Sequence, residues 1–214
     1  DSQLSAQASS LGRYRVIILP DILRLDSSAI ATLETLQRNG THLIATNRTL
    51  SDNPEALLRI FGARADEVTH DGAGFYIHPQ RANGFKRFPG QHLLLWKFNL
   101  GLYSFPQADT LLPIFTPGRP GPPEIIGGHQ RSGYYLLGIK ANGKAKAAII
   151  PANLGRLYYI HGYQQHKNIL LDLLDLLDER IATSVVTDAP ARVEVILNDY
   201  IVNTPERRNQ PGVD

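Results

Sequence analysis

The chain has 214 residues, 43% of them apolar, and its 22 basic side chains, sixteen Arg and six Lys, outnumber 20 acidic ones for a formal charge of +2. A chain of this length buries roughly 70% of its unfolded surface and needs no disulfide or metal staple, while the absence of Cys excludes a thiol nucleophile, a thiolate zinc site, an iron–sulfur cluster and a disulfide framework. The charge lacks the single-sign stripe of a nucleic-acid footprint, and the longest apolar runs, such as Val16 to Leu19 and Leu93 to Trp96, fall far short of the roughly 18 to 20 residues of a membrane helix.

Residues 1–13 open the chain as a small, polar segment with neither an initiating Met nor the charged-then-apolar layout of a secretory signal, so a segment upstream is expected to have been removed. Composition leaves the compartment undetermined. Tyr14 to Pro20 (YRVIILP) reads as a strand covered on both faces in a parallel sheet, with Asp21 at its carboxyl end. Asp26, Ser27 and Ser28 are N-cap candidates for a helix on Ile30, Leu33 and Leu36 that ends at Asn39-Gly40. Thr41 to Thr46 (THLIAT) completes a βαβ unit whose crossover should be right-handed. Asp52-Asn53-Pro54 opens a second helix through Phe61, closed by Gly62.

After Asp71 the apolar stretches shorten, and Gly74 to His78 and His92 to Phe105 read as strands. Pro117 to Glu124 holds four prolines and two glycines in eight residues, which forbids helix or central strand and suits an extended connector or a docking motif for a proline-reading module. Tyr134 to Lys140 and Lys144 to Ile150 flank Ala141-Asn142-Gly143, the strongest short-range hairpin signal. Gly162 to Arg180 reads as a helix in which Ile169, Leu170, Leu171, Leu173, Leu174, Leu176 and Leu177 stand against Asp172, Asp175 and Asp178. Those apolar positions sweep roughly 220° of the cylinder, beyond what one-sided burial needs, so a second partner is expected: another layer of the domain, a neighbouring domain or another subunit. A linker at 183–190 then leads to Ala191 to Leu197 (ARVEVIL), which alternates like a half-buried strand, and 191–214 reads as the start of a truncated β module.

No constellation of catalytic, cofactor-binding or metal-ligating residues stands out. Asp21 lies where open α/β sheets place ligands, but it also suits a turn. Asp71-Gly72-Ala73-Gly74 precedes a strand instead of joining strand to helix, so it is not a phosphate loop. No His pair has the four-residue helical spacing of a protease-type zinc site, and neither a G-x-S-x-G elbow nor a G-x-x-x-x-G-K-[ST] loop occurs. The densest polar and aromatic cluster is Arg156, Tyr158, Tyr159, His161 and Tyr163 on a loop leading into the long helix. With Leu171 as the helix's outermost Leu, this set is the candidate interface or sugar contact.

The order YRVIILPD, a helix, LQRNGTHLIATNRT and LLRIFGA, followed by PPE, NGK, AAIIPANLG and RLYYIHGYQQHKNILLDLLD, resembles the amidotransferase-like domain behind the catalytic barrel of family 42 β-galactosidases and related putative glycosyl hydrolases. The resemblance spans about Tyr14 to Leu177. It implies a flavodoxin-like, class I glutamine amidotransferase-like α/β domain at 14–182, a mainly parallel sheet with helices on both faces. It also implies an accessory role in a larger chain: contact with that chain's other domains, and oligomer formation, trimerisation in the β-galactosidases. The nucleophilic Cys of the amidotransferases is missing here, which removes amidase chemistry while leaving the scaffold. Two other readings stand beside it: a carbohydrate-binding module presenting Trp96 and the Tyr158 to Tyr163 rings, and a free-standing acid–base enzyme built on Asp21, His129 or His161.

Overall fold

The computed structural model describes residues 8–69, 75–78, 84–87, 93–95, 99–116 and 128–179. The chain divides into two units, Asp1–Ala182 and Thr183–Asp214, and every described residue belongs to the first. The Asp71 to Gly74 turn, Trp96, the Pro117 to Glu124 stretch, the 183–190 linker and the ARVEVIL strand lie outside the described residues.

A short helix α1 (Ala8–Leu11) precedes β1 (Val16–Pro20), α2 (Ser27–Arg38) and β2 (His42–Thr46). β1 and β2 are parallel neighbours, Val16 opposite His42 through Pro20 opposite Thr46, as the βαβ reading requires. Of the three N-cap candidates Asp26 does the work, its Oδ1 accepting the Ala29 N–H at 2.7 Å, which satisfies one of the helix's unpaired donors. In α3 (Pro54–Phe61) the proline sits in the first turn, and Gly62 ends the helix in the left-handed region at φ +68°. A Cβ there would lie 2.6 Å from the Gln107 carbonyl oxygen, so the position requires glycine for both its backbone angle and its space.

Next come β3 (Arg64–Thr69), β4 (Phe75–Ile77), β5 (Leu93–Leu95), β6 (Leu100–Ser104), β7 (Asp109–Phe115), β8 (Arg131–Asn142) and β9 (Ala145–Ile150). The main sheet runs β1-β2-β9-β8-β7-β4-β5, and β3 pairs with β6 in a separate two-stranded ribbon. This corrects the expectation of a mainly parallel sheet. Among the described residues only β1, β2 and β9 run parallel, and the β9–β8, β8–β7, β7–β4 and β4–β5 pairings are antiparallel. The physical reason is the Asn142-Gly143 hairpin, which turns the long β8 back on itself into β9 and so sets the two antiparallel, where a helical crossover would have kept them parallel. The single stretch expected at His92 to Phe105 also divides into two strands that belong to different sheets.

Helices cover both faces of the parallel part, and the strand period assigns them. Ile44, Ala148 and Ile150 enter a core with Leu154, Leu157, Ile169, Leu173 and Leu177, from α4 (Leu154–His161) and α5 (Gln164–Leu177). Their alternating neighbours Leu43, Ala45, Ala147 and Ile149 enter a second core with Ala29, Leu33, Leu57 and Phe61 from α2 and α3. Successive side chains point to opposite faces, so continuous apolar strands are the sequence of a sheet buried twice. Among the described residues no helix is long and apolar enough to cross a membrane.

Candidate functional site

The carboxyl ends of β1, β2 and β9 are where a sheet of this kind offers a ligand site. Asp21 (φ +49°), Asn47 (φ +54°) and Leu50 (φ +60°) all take left-handed backbone there. Asp21 is held by Arg48, whose Nη2 and Nε lie 3.1 and 3.2 Å from its carboxylate oxygens. Burial works to raise the Asp21 pKa, but the hydrogen bonds and charge of Arg48 outweigh it and hold the carboxyl below its ordinary value. The Asn47 N–H donates to the Ile150 and Ala152 carbonyls at 2.9 and 3.2 Å, tying β2 to the end of β9. Behind them Tyr103 is buried, its hydroxyl without a partner, and burial followed by the Asp21 charge pushes its pKa up to about 12. These strand ends therefore form a neutralised, internally bonded corner in which Asp21 closes a turn.

His129 sits elsewhere, its Nδ1 2.9 Å from the Thr116 carbonyl oxygen and its ring edge-on to Tyr76 at 4.3 Å. No described hydrogen bond, ion pair or ring contact joins any two of Asp21, His129 and His161. Among the described residues no group of three or more His, Asp or Glu is placed to hold a metal ion.

The aromatic cluster is differently arranged from its sequence reading. Residues 156–161 are helical, not a loop: α4 begins after Asn153 and ends where Gly162 (φ +65°) donates its N–H to the Tyr158 carbonyl at 2.7 Å. Only Leu154 and Leu157 of α4 are buried, so a two-turn helix is pinned by two side chains. Arg156 is exposed, and the large apolar surface beside it is Tyr158 at 37% exposure, Tyr159 at 89%, Ile160 at 54% and Tyr163 at 53%. His161 stacks on Tyr163 at 5.4 Å and 16° between planes, and Tyr163 leans on His166 at 5.7 Å.

His166 is the residue that sequence reasoning missed. It is buried, with neither ring nitrogen hydrogen-bonded, and burial, aided by His161, lowers its pKa to about 4. The signal was present in the spacing: His166, Ile169 and Leu173 share the buried stripe of α5.

The wide apolar surface of α5 finds its second partner within the same unit. Phe85 enters the same core as Ile169, Leu173 and Leu177 of α5, and Gly84 approaches so closely that a Cβ would lie 2.5 Å from Leu176 Cδ2. Arg87 donates its backbone N–H to both Asp172 oxygens at 3.2 and 3.0 Å and its Nη1 to Asp172 and Asp175, while its carbonyl accepts from Asn168 Nδ2 at 3.0 Å. Asp172, read as part of a polar stripe, is fully buried in this clamp. Leu171 is half-buried and stands outside the core clusters.

No family model matches the chain, and no curated protein is similar to it in sequence. Solved structures do match. A β-galactosidase from Rahnella is similar over 83% of this chain and 24% of its own at 14% identity, with a TM-score of 0.55. Further matches include GH42 β-galactosidases. The chain shares its fold with a domain of family 42 β-galactosidases. An α-L-fucosidase from Paenibacillus thiaminolyticus matches over 80% of this chain and 26% of its own at 17% identity and TM-score 0.61. A cytoplasmic protein from Salmonella typhimurium matches over 79% and 74% at 13% identity and TM-score 0.57. The chain thus spans about a quarter of the length of the glycoside hydrolases it matches, whereas the same fold makes up most of the Salmonella protein.

Proposed function

We propose that this chain is a non-catalytic accessory domain of a longer glycoside hydrolase, serving assembly: it joins domains of one chain and, as the resemblance implies, chains to one another in a homo-oligomer. The observation that carries this reading is coverage, since the whole of the shared fold accounts for only about a quarter of each hydrolase. The chemistry agrees with it. Asp21 is consumed by Arg48, Tyr103 is held neutral, and the chain has no Cys to attack an amide. Pure protein should release nothing from a nitrophenyl galactoside and no ammonia from glutamine. Turnover that disappears on substituting Asp21, His129 or His161 would overturn the proposal in favour of a free-standing acid–base enzyme. The exposed Tyr159 and Tyr163 rings support a second reading, a carbohydrate-binding module; calorimetric titration with lactose giving saturable heat that Tyr159→Ala removes would select it.

A further inference from the structure

A helix of eight residues is too short to hold its shape from backbone bonding alone. In α4 only Leu154 and Leu157 reach the core, while Tyr158, Tyr159 and Ile160 are presented outward and Tyr163 continues the surface past Gly162. Their exposures correspond to roughly 450 Å² of side-chain surface, taking about 200 Å² for each fully exposed side chain. That is as large as the greatest apolar patch on an ordinary monomer.

The area also discriminates between occupants. A symmetric pair of chains meeting only here would bury about 900 Å² in total, below the roughly 1,200 Å² at which stable complexes begin. A covalently linked domain needs less, because the tether supplies an effective concentration near millimolar, and interfaces between domains of one chain begin at about 600 Å². Charge narrows the partner further. From Asn153 to Leu170 there is no Asp or Glu, while Arg156 and Lys167 are exposed on either side of the aromatic residues. We propose that the outer face of Leu154–His161, with Tyr163, is the docking surface for a neighbouring domain of the longer chain, one that presents an apolar centre flanked by carboxylates. This rests on the accessory-domain reading and adds to it the surface and the partner's chemistry.

The absence of Cys makes a footprint clean. Tyr159→Cys, at an exposed position, is introduced into the 214-residue chain and into the full product of the gene that carries it. Maleimide labelling is then followed on the tryptic peptide that carries residue 159, Leu157–Lys167 in the Tyr159→Cys protein and Ala147–Arg180 once the cleavage sites at Arg156 and Lys167 are substituted. The expected result is labelling at least tenfold slower in the longer product, restored toward the short-chain rate when Arg156→Glu and Lys167→Glu are added. Equal rates in the two proteins overturn the docking surface and leave the accessory-domain reading intact. Slowing in the short chain on raising its own concentration assigns the face to a second copy, and slowing on adding lactose assigns it to sugar; either overturns the proposal. A gene encoding no longer product sinks the accessory-domain reading itself.

Discussion

His166 should make this protein lose stability in mild acid, by an amount fixed by its burial. In the unfolded chain its imidazole takes up a proton near pH 6.5, whereas in the folded chain it waits until about pH 4. Between those values the unfolded state binds the extra proton, so the contribution is complete above the unfolded pKa and drains away as pH falls toward the folded one. The full difference is about 3 kcal/mol, and about 2 kcal/mol of it is lost between pH 7 and pH 5. Replacing the ring by His166→Phe keeps an aromatic residue beside Tyr163 and removes both unpartnered nitrogens. The variant should be at least as stable as the parent at pH 7, because a buried unsatisfied polar group costs about 1 to 3 kcal/mol. Urea unfolding at pH 7.5, 6 and 5 measures this directly, with the m-value expected to stay constant. Other carboxylates and imidazoles titrate in both proteins, so the observable is the widening gap between them, about 2 kcal/mol by pH 5. Two curves that fall in parallel would refute the reasoning.

Asp172→Ala should cost about 1 to 3 kcal/mol by leaving the Arg87 N–H without its acceptor, while the guanidinium keeps Asp175, read as a lower urea midpoint; an unchanged midpoint would mean that the clamp is not formed. Gly138→Ala places a Cβ 2.2 Å from the Phe105 ring, so it should lower stability by about 1 to 3 kcal/mol, and pairing it with Phe105→Leu should recover part of that loss in a double-mutant cycle. Tyr159→Ser, at an outward position, should leave the unfolding free energy of the 214-residue chain within about 0.5 kcal/mol of the parent in a urea titration, whereas a large drop would show that the ring packs within its own unit.

Wherever covalent and local rules governed the outcome, the sequence could be read. The apolar runs that make strands of Val16–Pro20 and His42–Thr46, the Pro54 and Gly62 ends of α3 and the Asn142-Gly143 hairpin are each written in residues within a few positions of one another. The polar β3 (RADEVT) and the proline-bearing β7 gave no strand signal, because a ladder supplied by distant strands forms them, and Pro113 sits where the pairing with β8 shifts register. At the candidate site, Arg156, Tyr158, Tyr159, His161 and Tyr163 were legible as a cluster by their composition. Their helical backbone was not, since Gly162 served equally well as the start of one helix or the end of another.

By itself, then, the sequence determined an α/β chain without thiol chemistry, the two-face burial of its parallel strands and the aromatic character of the surface at 156–163. Only the tertiary structure decided that the sheet is mixed, that Asp21 is tied to Arg48, that Asp172 is buried against Arg87 and that His166 lies under Tyr163. The reason is separation along the chain: the Arg87 to Asp172 contact joins residues 85 positions apart. No local propensity encodes such a meeting; it exists because burying both faces of one sheet brings those segments together.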